Sequence, residues 1–295
     1  MDPLFEIADV EFRQNEPLSL HSSVRIGGPA DLVAFPRTEA ALIALLTALR
    51  KRGTRHMVLG NASNTLFSDA GYRGVVIVTN RMKETVWDGT TIRAACGVSL
   101  TALAAEAANR GLSGLEFAYG IPGTVGGAVY MTAGAYGGQI SDVLLRSVCL
   151  HDGEPLTREA AEHGFGYRQS VYRRTGDILL SATFALTESA PKTVRAACEK
   201  NMVARKEKQP LEFPSLGSVF KRPEGHFAGA LIEDAGLKGT RIGGAEVSEK
   251  HAGFLINRGG ATAADFLALV SHVQKVVQAK TGIFLEPEII LVPER

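Results

Sequence analysis

Apolar residues recur along this chain with two periods, and the two periods separate its helices from its strands. Leu42, Leu45, Leu46 and Leu49 follow the i, i+3, i+4, i+7 spacing of one helix face, with Thr38 as cap and Gly53 as stop. The same spacing returns at Leu100, Leu103, Ala104 and Ala107, capped by Ser99 and ended by Gly111. A third stripe, Phe266, Leu269, Val270, Val273 and Val277, follows Thr262 and Asp265 in capping-box positions and stops at Gly282. Pro191 to Lys208 reads as a charged helix ending before Gln209-Pro210. Shorter apolar runs read as strands: a buried HMVL (56–59), VVIVT (75–79), segments near 83–87 and 91–95, LLRSVCL (144–150) and ILLSATFAL (178–186), with a hairpin turn at Asp152-Gly153. FLEPEIILV (284–292) is strand-like with a glutamate at its centre. The class is α+β in two or three lobes, with a boundary at about 200–210 where the composition changes.

Composition narrows the function classes. Hydrophobic residues make up 45% of the 295 positions and charged residues 21%, enough for a sizeable core and incompatible with wholesale disorder. A net charge of +1 gives no reason to expect a nucleic-acid or membrane-surface partner. The 3 cysteines, Cys96, Cys149 and Cys198, lack metal-ligand spacing and read as reduced thiols. The start, MDPLFEIADVEF, is acidic and does not resemble a signal peptide, and tracts such as ALIALLTAL are about half of what a membrane span needs. A soluble, cytoplasmic protein acting on small molecules, monomeric or weakly oligomeric, is expected.

Many of the 32 glycines cluster. In LGNASNTL (59–66), small residues at a strand end can expose successive N–H groups to an anion, although Gly, Asn and Ser are also ordinary turn residues. In YGIPGTVGGAVYMTAGAYGG (119–138), Pro122 suits a first helical position, and Gly123, Gly126 and Gly127 allow a helix N-terminus to approach a phosphate. Neither segment carries the usual dinucleotide or P-loop fingerprint, and a tight packing joint explains the second equally well. Two such loops in consecutive α/β lobes favour a large phosphate-bearing cofactor.

Other residues read as ordinary when taken singly. Arg168 in GYRQSVYR is an exposed arginine, Ser218 in LGSVFKRPEG a turn serine, and His21, His226 and His251 solvated or core histidines. KHAGFLIN (250–257) links His251 and Asn257 as a polar wall, and Arg205, Lys206 and Lys208 suit a helix C-terminus. In LEPEI, alternation sets Glu286 and Glu288 on one face opposite Ile289, which can force one glutamate inward.

In order along the chain come HSSVRIGGPADLVAFP (21–36), LGNASNTLFSDAGYRG (59–74), GLEFAYGIPGTVGGAVYMTAGAYGG (114–138), YRQSVY (167–172), KQPLEFPSLGSVFKRP (208–223), LIEDAGLKGTRIGGAEVSEKHAGFLIN (231–257) and GIFLEPEI (282–289). This series closely resembles the UDP-N-acetylenolpyruvoylglucosamine reductases, flavoenzymes of bacterial cell-wall precursor synthesis, over nearly the whole chain, and in length looks like the shorter of the family's types. The resemblance implies an α+β fold of the vanillyl-alcohol-oxidase type, with FAD lobes at 1–80 and 81–200 and a substrate lobe at 201–285. The terminal strand, 286–295, would return to the first lobe. It also implies FAD bound through Leu59, Gly60, Asn61, Ala62, Ser63, Asn64, Thr65, Gly120, Ile121, Pro122, Gly123, Thr124, Gly126, Gly127, Ala133 and Gly137, with NADPH as reductant. Arg168 would hold the substrate carboxylate, Glu288 would stabilise an enolate as a protonated or proton-sharing acid, and Ser218 would donate a proton. Tyr167, Lys221, Arg222, His251 and Asn257 would contact substrate.

The chain departs from its relatives in a few places. Ala62 stands for a usual glycine, Thr132 for a usual asparagine, Arg222 for an asparagine in many relatives, and His21-Ser22-Ser23 for a threonine-rich or asparagine-led stretch. The alternatives are another flavin oxidoreductase of the same fold, which would not need Arg168, Ser218 and Glu288 together, and a non-catalytic binding protein, which would lack the proton donor.

Overall fold

Each predicted stripe with a capping residue becomes a helix in the computed structural model, which describes residues 2–293. Helix α1 (Glu39–Lys51) starts where the Thr38 hydroxyl accepts the Ala41 N–H at 3.1 Å. Its Leu42, Leu45 and Leu49 are fully buried, each contributing about 1.5–3 kcal/mol of apolar transfer. Helix α2 (Leu100–Arg110) is capped by Ser99 and closed by left-handed Gly111. Then come α3 (Val125–Met131), α4 (Val171–Thr175), α5 (Pro191–Lys208) and α6 (Ala228–Asp234). The Thr262/Asp265 capping box opens α7 (Ala263–Thr281), which ends at Gly282.

The strands form sheets of fixed order. One runs Val10–Pro17, Pro29–Pro36, Tyr72–Val78, His56–Leu59, the last pair parallel from His56↔Val75 to Leu59↔Val78. His56–Leu59 is half-buried rather than buried, because it is the edge strand. A second sheet runs Glu154–Glu159, Leu144–His151, Ile178–Ala185, Thr91–Ala95, Thr85–Asp88, with antiparallel neighbours. Asp152 (φ 51°) and Gly153 (φ 93°) supply the paired left-handed residues that its hairpin turn requires. A third runs Ser215–Ser218, Phe254–Asn257, Ala245–Val247, Arg241–Ile242.

The chain divides into two compact units: unit 1 is 1–13, 32–61 and 74–205, and unit 2 is 14–31, 62–73 and 206–295. Of the first 80 residues, 14–31 and 62–73 therefore belong to unit 2. Unit 1 has a core of α1, α2 and α3 side chains with Ile92, Leu180 and Phe184 of the second sheet. Unit 2 has its own core, in which Phe266, Leu269, Val273 and Val277 of α7 meet Leu216, Val219, Ile232 and Leu255. The end of the chain is not the continuous strand its pattern predicts. Pro287 has no N–H to pair and makes only an isolated bridge with Phe220, so the strand is confined to Ile290–Val292. That strand runs parallel to Thr65–Phe67; residues 294–295 of the expected returning segment lie outside the described residues. Among the described residues no helix is long and apolar enough to cross a membrane. The cysteines are buried and unbridged, and burial pushes the Cys96 thiol up to about 12.

Candidate functional site

The loop after His56–Leu59 presents backbone donors. Leu59 ends the strand with its carbonyl accepting the Thr79 hydroxyl at 3.0 Å. Gly60 follows because nothing larger fits: a Cβ there would lie 2.2 Å from Thr124 Oγ1. Ala62 is buried with φ 43°, and among the described residues no acceptor meets the N–H groups of Asn61, Ala62 or Ser63. Successive N–H groups around a left-handed residue form an anion-binding concavity. The Asn61 amide donates to the Pro122 carbonyl at 3.0 Å. The Asn64 amide donates to the Glu288 carbonyl at 3.2 Å, and Thr65 pairs with Ile290.

The second glycine run behaves differently. Pro122 is not the first helical residue; α3 begins at Val125, because the Thr124 hydroxyl can cap it by accepting the Gly127 N–H, whereas a helix opening at Pro122 would be capped by Ile121, which has no side-chain acceptor. The Val125 N–H donates to Val98 and the Gly126 N–H to Cys96, both at 2.8 Å. Gly120 donates to the Thr101 hydroxyl, Ile121 to Ala118 and Ala133 to Ala128, while the Gly123 carbonyl accepts from Leu100. The Val125, Gly126 and Gly127 donors of this helix start are therefore engaged inside the protein, whereas among the described residues no acceptor meets the N–H groups of Gly123 and Thr124. Open space remains at Gly137, where a Cβ would meet nothing within 4 Å.

Positive charge near this run comes from Arg205. A Cβ at Gly120 would lie 2.8 Å from Met202 Cε and 3.2 Å from Arg205 Cδ. Among the described residues no carboxylate or hydrogen-bond acceptor pairs with the Arg205 guanidinium, and burial lowers its pKa. The signal was present in the spacing: Val194 and Cys198 are the buried residues of α5, and Met202 and Arg205 continue that stripe.

Arg168 sits at the tip of a tight turn in unit 1. Gly166 and Gln169 exchange both backbone bonds, at 3.1 and 3.0 Å, leaving Tyr167 and Arg168 between them. Arg168 has φ 56°, a conformation with a steric cost for a residue with a Cβ. Its Nη1 lies 3.5 Å from the Thr132 carbonyl, its own carbonyl accepts from Arg173 at 2.6 Å, and its guanidinium stacks 5.0 Å from the exposed Tyr167 ring. Thr132, itself left-handed at φ 46°, donates its hydroxyl to the Gln169 carbonyl.

Ser218, Lys221 and Glu288 belong to unit 2, where backbone bonds bring their segments together. The Glu288 N–H donates to Val219 at 2.7 Å and the Lys221 N–H to Glu286 at 2.9 Å, on either side of the Phe220–Pro287 bridge. Glu288 thus lies beside the residue after Ser218, and Ser218 is exposed after left-handed Gly217. Glu286 is the solvent-facing glutamate and pairs with the Lys221 ammonium; Glu288 is half-buried. Arg222 stacks 4.5 Å from the Phe227 ring. Asn257 is buried, its amide donates to Val24, and its oxygen accepts from Gly259 and Ala261. His251 accepts the Gly253 N–H and packs edge-on against Phe254, and burial lowers its pKa.

Residues 30–158 match the FAD binding domain model and residues 209–292 the UDP-N-acetylenolpyruvoylglucosamine reductase C-terminal domain model. The chain is 46% identical to the UDP-N-acetylenolpyruvoylglucosamine reductase of Streptococcus pyogenes serotype M12 (strain MGAS9429) over 98% of both proteins. The chain belongs to the UDP-N-acetylenolpyruvoylglucosamine reductase family. A second reductase, from Latilactobacillus sakei subsp. sakei, is 46% identical over 97% of this chain and 95% of its own length. The crystal structure of the Thermus caldophilus reductase covers 96% of this chain and 99% of its own, with a TM-score of 0.82 at 35% identity. As a member of this reductase family the chain is an FAD-dependent oxidoreductase with an α+β fold. The open donors at Asn61, Ala62 and Ser63 fit a phosphate-bearing group such as FAD; in unit 1 the Arg205 guanidinium beside Gly120, which meets no acceptor among the described residues, suits an anion. Two departures from the reductase pattern also gain a physical meaning. Ala62 and Thr132 are both left-handed, the conformation that the glycine and asparagine expected there from the resemblance tolerate best.

Proposed function

We propose that this protein reduces the enolpyruvyl ether of UDP-N-acetylglucosamine to UDP-N-acetylmuramate with NADPH, a step in bacterial peptidoglycan precursor synthesis. FAD, when bound, would supply the redox chemistry that carries a hydride from NADPH to the terminal carbon of the substrate double bond. The loop of Asn61, Ala62 and Ser63 holds phosphate through its N–H groups, with Arg205 adding positive charge beside Gly120. Arg168 binds the substrate carboxylate bidentately, using a planar donor fork that lysine lacks. Negative charge develops next to that carboxylate as an enolate, and Glu288, as a protonated or proton-sharing acid, donates a hydrogen bond to it. Ser218 gives the proton that completes reduction at the adjacent carbon. Lys221 attracts the anionic substrate, and Tyr167 flanks Arg168.

The observation that carries this reading is the backbone register that sets Glu288 beside Val219, with exposed Ser218 next in the chain. Serine is a weak acid, so its chemistry needs assisting groups supplied by the assembled site, and general-acid action of this kind is worth roughly 10²–10⁴-fold. The test separates the two halves of the reaction. The FAD-loaded protein is reduced anaerobically with NADPH, then mixed with the enolpyruvyl sugar nucleotide while flavin absorbance is followed. Prompt reoxidation is expected in the native protein. Ser218→Ala should be reduced normally and reoxidise slower by roughly 10²-fold or more. Native flavin that stays reduced would remove the proposed substrate, and normal reoxidation in the variant would remove the proton donor.

A further inference from the structure

Behind the Arg168 turn lies a polar cluster with no part in the reaction as described. Ser147, in the strand Leu144–His151, is 1% exposed; His163 is 0% and Tyr172 1% exposed. The His163 Nδ1 faces the carbonyls of Glu159 at 2.8 Å and Ala160 at 3.2 Å, so this nitrogen carries the proton. Its Nε2 is then an acceptor, and the Ser147 hydroxyl donates to it at 2.7 Å. The same hydroxyl oxygen accepts from the Tyr172 hydroxyl. A serine beside a histidine can be a nucleophile, but these groups have no solvent access, so the arrangement is not a hydrolytic site.

Their position in the chain shows what they hold. His163 ends the limb that enters the Arg168 turn, and its ring stacks on Phe165 at 5.0 Å. Tyr172 opens the limb that leaves the turn, just after Ser170, whose hydroxyl donates to the Tyr130 carbonyl at 2.7 Å. One hydroxyl of the second sheet therefore ties both limbs of a turn whose tip residue is left-handed. A left-handed arginine costs energy and persists only where its surroundings over-determine it.

We infer that Ser147, His163 and Tyr172 are positioning residues that clamp both limbs of the turn and so hold the Arg168 guanidinium where the substrate carboxylate binds. This rests on the reading of Arg168 as the carboxylate-binding arginine. The clamp touches neither substrate nor cofactor. Loosening it leaves flavin reduction by NADPH intact and slows reoxidation by the enolpyruvyl substrate, since misplacing a binding group by about 1 Å costs up to about 10²-fold.

The FAD-loaded Ser147→Ala, Tyr172→Phe and Arg168→Ala proteins, and the Ser147→Ala/Arg168→Ala double variant, are compared in both half-reactions. Ser147→Ala and the milder Tyr172→Phe should reoxidise roughly ten- to a hundredfold slower, with a raised KM for the sugar nucleotide and unchanged reduction by NADPH. In the Arg168→Ala background, Ser147→Ala should add no further slowing, because the group it positions is gone. Trypsin should cut the Ser147→Ala protein after Arg168 faster than the native one, a readout independent of turnover. Equal slowing of both half-reactions, or a lower melting temperature with native reoxidation, would reduce the cluster to a structural one and overturn the inference. Slow Arg168→Ala with native-like Ser147→Ala and Tyr172→Phe would overturn the inference alone. Native reoxidation by Arg168→Ala would overturn the reading of Arg168 and the inference with it.

Discussion

The two glycine-rich loops look alike as sequence, and their backbone donors go to different places. In 59–65, the N–H groups of Asn61, Ala62 and Ser63 meet no acceptor among the described residues. In 119–127, the N–H groups of Val125, Gly126 and Gly127 that open α3 are donated to Val98, Cys96 and the Thr124 hydroxyl, and only those of Gly123 and Thr124 meet no acceptor among the described residues. Glycine has a different purpose in each. Gly60 lets the first loop lie against Thr124, while Gly126 lets α3 lie against Cys96, where a Cβ would come within 3.0 Å of the cysteine Cβ. A cluster of glycines thus marks a close approach, and only the fate of each donor tells whether a ligand or the protein itself is approached.

The largest expected effect comes from forcing the first loop away from the second. Gly60→Ala, with its new carbon 2.2 Å from Thr124 Oγ1, should cost about 1–3 kcal/mol of stability and weaken FAD binding, read by melting the apoprotein and titrating it with FAD. Native values for both would mean that the loops do not need this contact. Next comes the charge beside the second loop. Arg205→Met should weaken FAD binding about tenfold, roughly 1.4 kcal/mol, yet leave the apoprotein as stable or more so, because a partly buried charge with no partner among the described residues is removed. A lower apoprotein melting temperature would point instead to a structural arginine. Thr124→Ala removes the α3 cap and should cost about 1 kcal/mol, with a smaller loss of FAD affinity than Gly60→Ala; the reverse order would show that the helix start itself holds the cofactor. The smallest effect is favourable. Ala62→Gly relieves a left-handed alanine, worth about 1–2 kcal/mol, against a glycine entropy cost of about 0.5–1. A net rise of about 0.5 kcal/mol should appear in denaturant unfolding, and a fall would locate the strain elsewhere.

The helices were the legible part of this fold because each carries its own punctuation: Thr38, Ser99 and the Thr262/Asp265 box are local instructions that need no partner. The start of α3 was misread at Pro122 because proline suits a first helical position, but Ile121 before it carries no acceptor to cap the helix and Thr124 does. The alternation in Glu286–Val292 carried no information on pairing; Phe220 and Thr65–Phe67, distant in sequence, determine where it pairs. The single-residue readings of Arg168 and Ser218 were bland because their surroundings are backbone: a two-residue turn for one and a cross-chain register for the other. The hydrogen bonds of Asn257 were not legible because its partners are carbonyl and N–H groups, which composition never displays. Arg205 could have been found by extending the stripe of α5 past its apolar residues.

The pairing of Ile290–Val292 with Thr65–Phe67 sets a timetable for the newborn chain. Unit 2 draws on 14–31, 62–73 and 206–295, and the bonds that tie it together span 233 positions from Asn257 to Val24 and 224 from Glu288 to Asn64. Val24, Ile26 and Leu66, which end in its core, leave the ribosome long before their partners exist. At about 5–20 residues per second, they remain without those partners for roughly ten seconds or more. Unit 1 can begin to assemble during that interval, whereas unit 2 must wait for the last residues to be made.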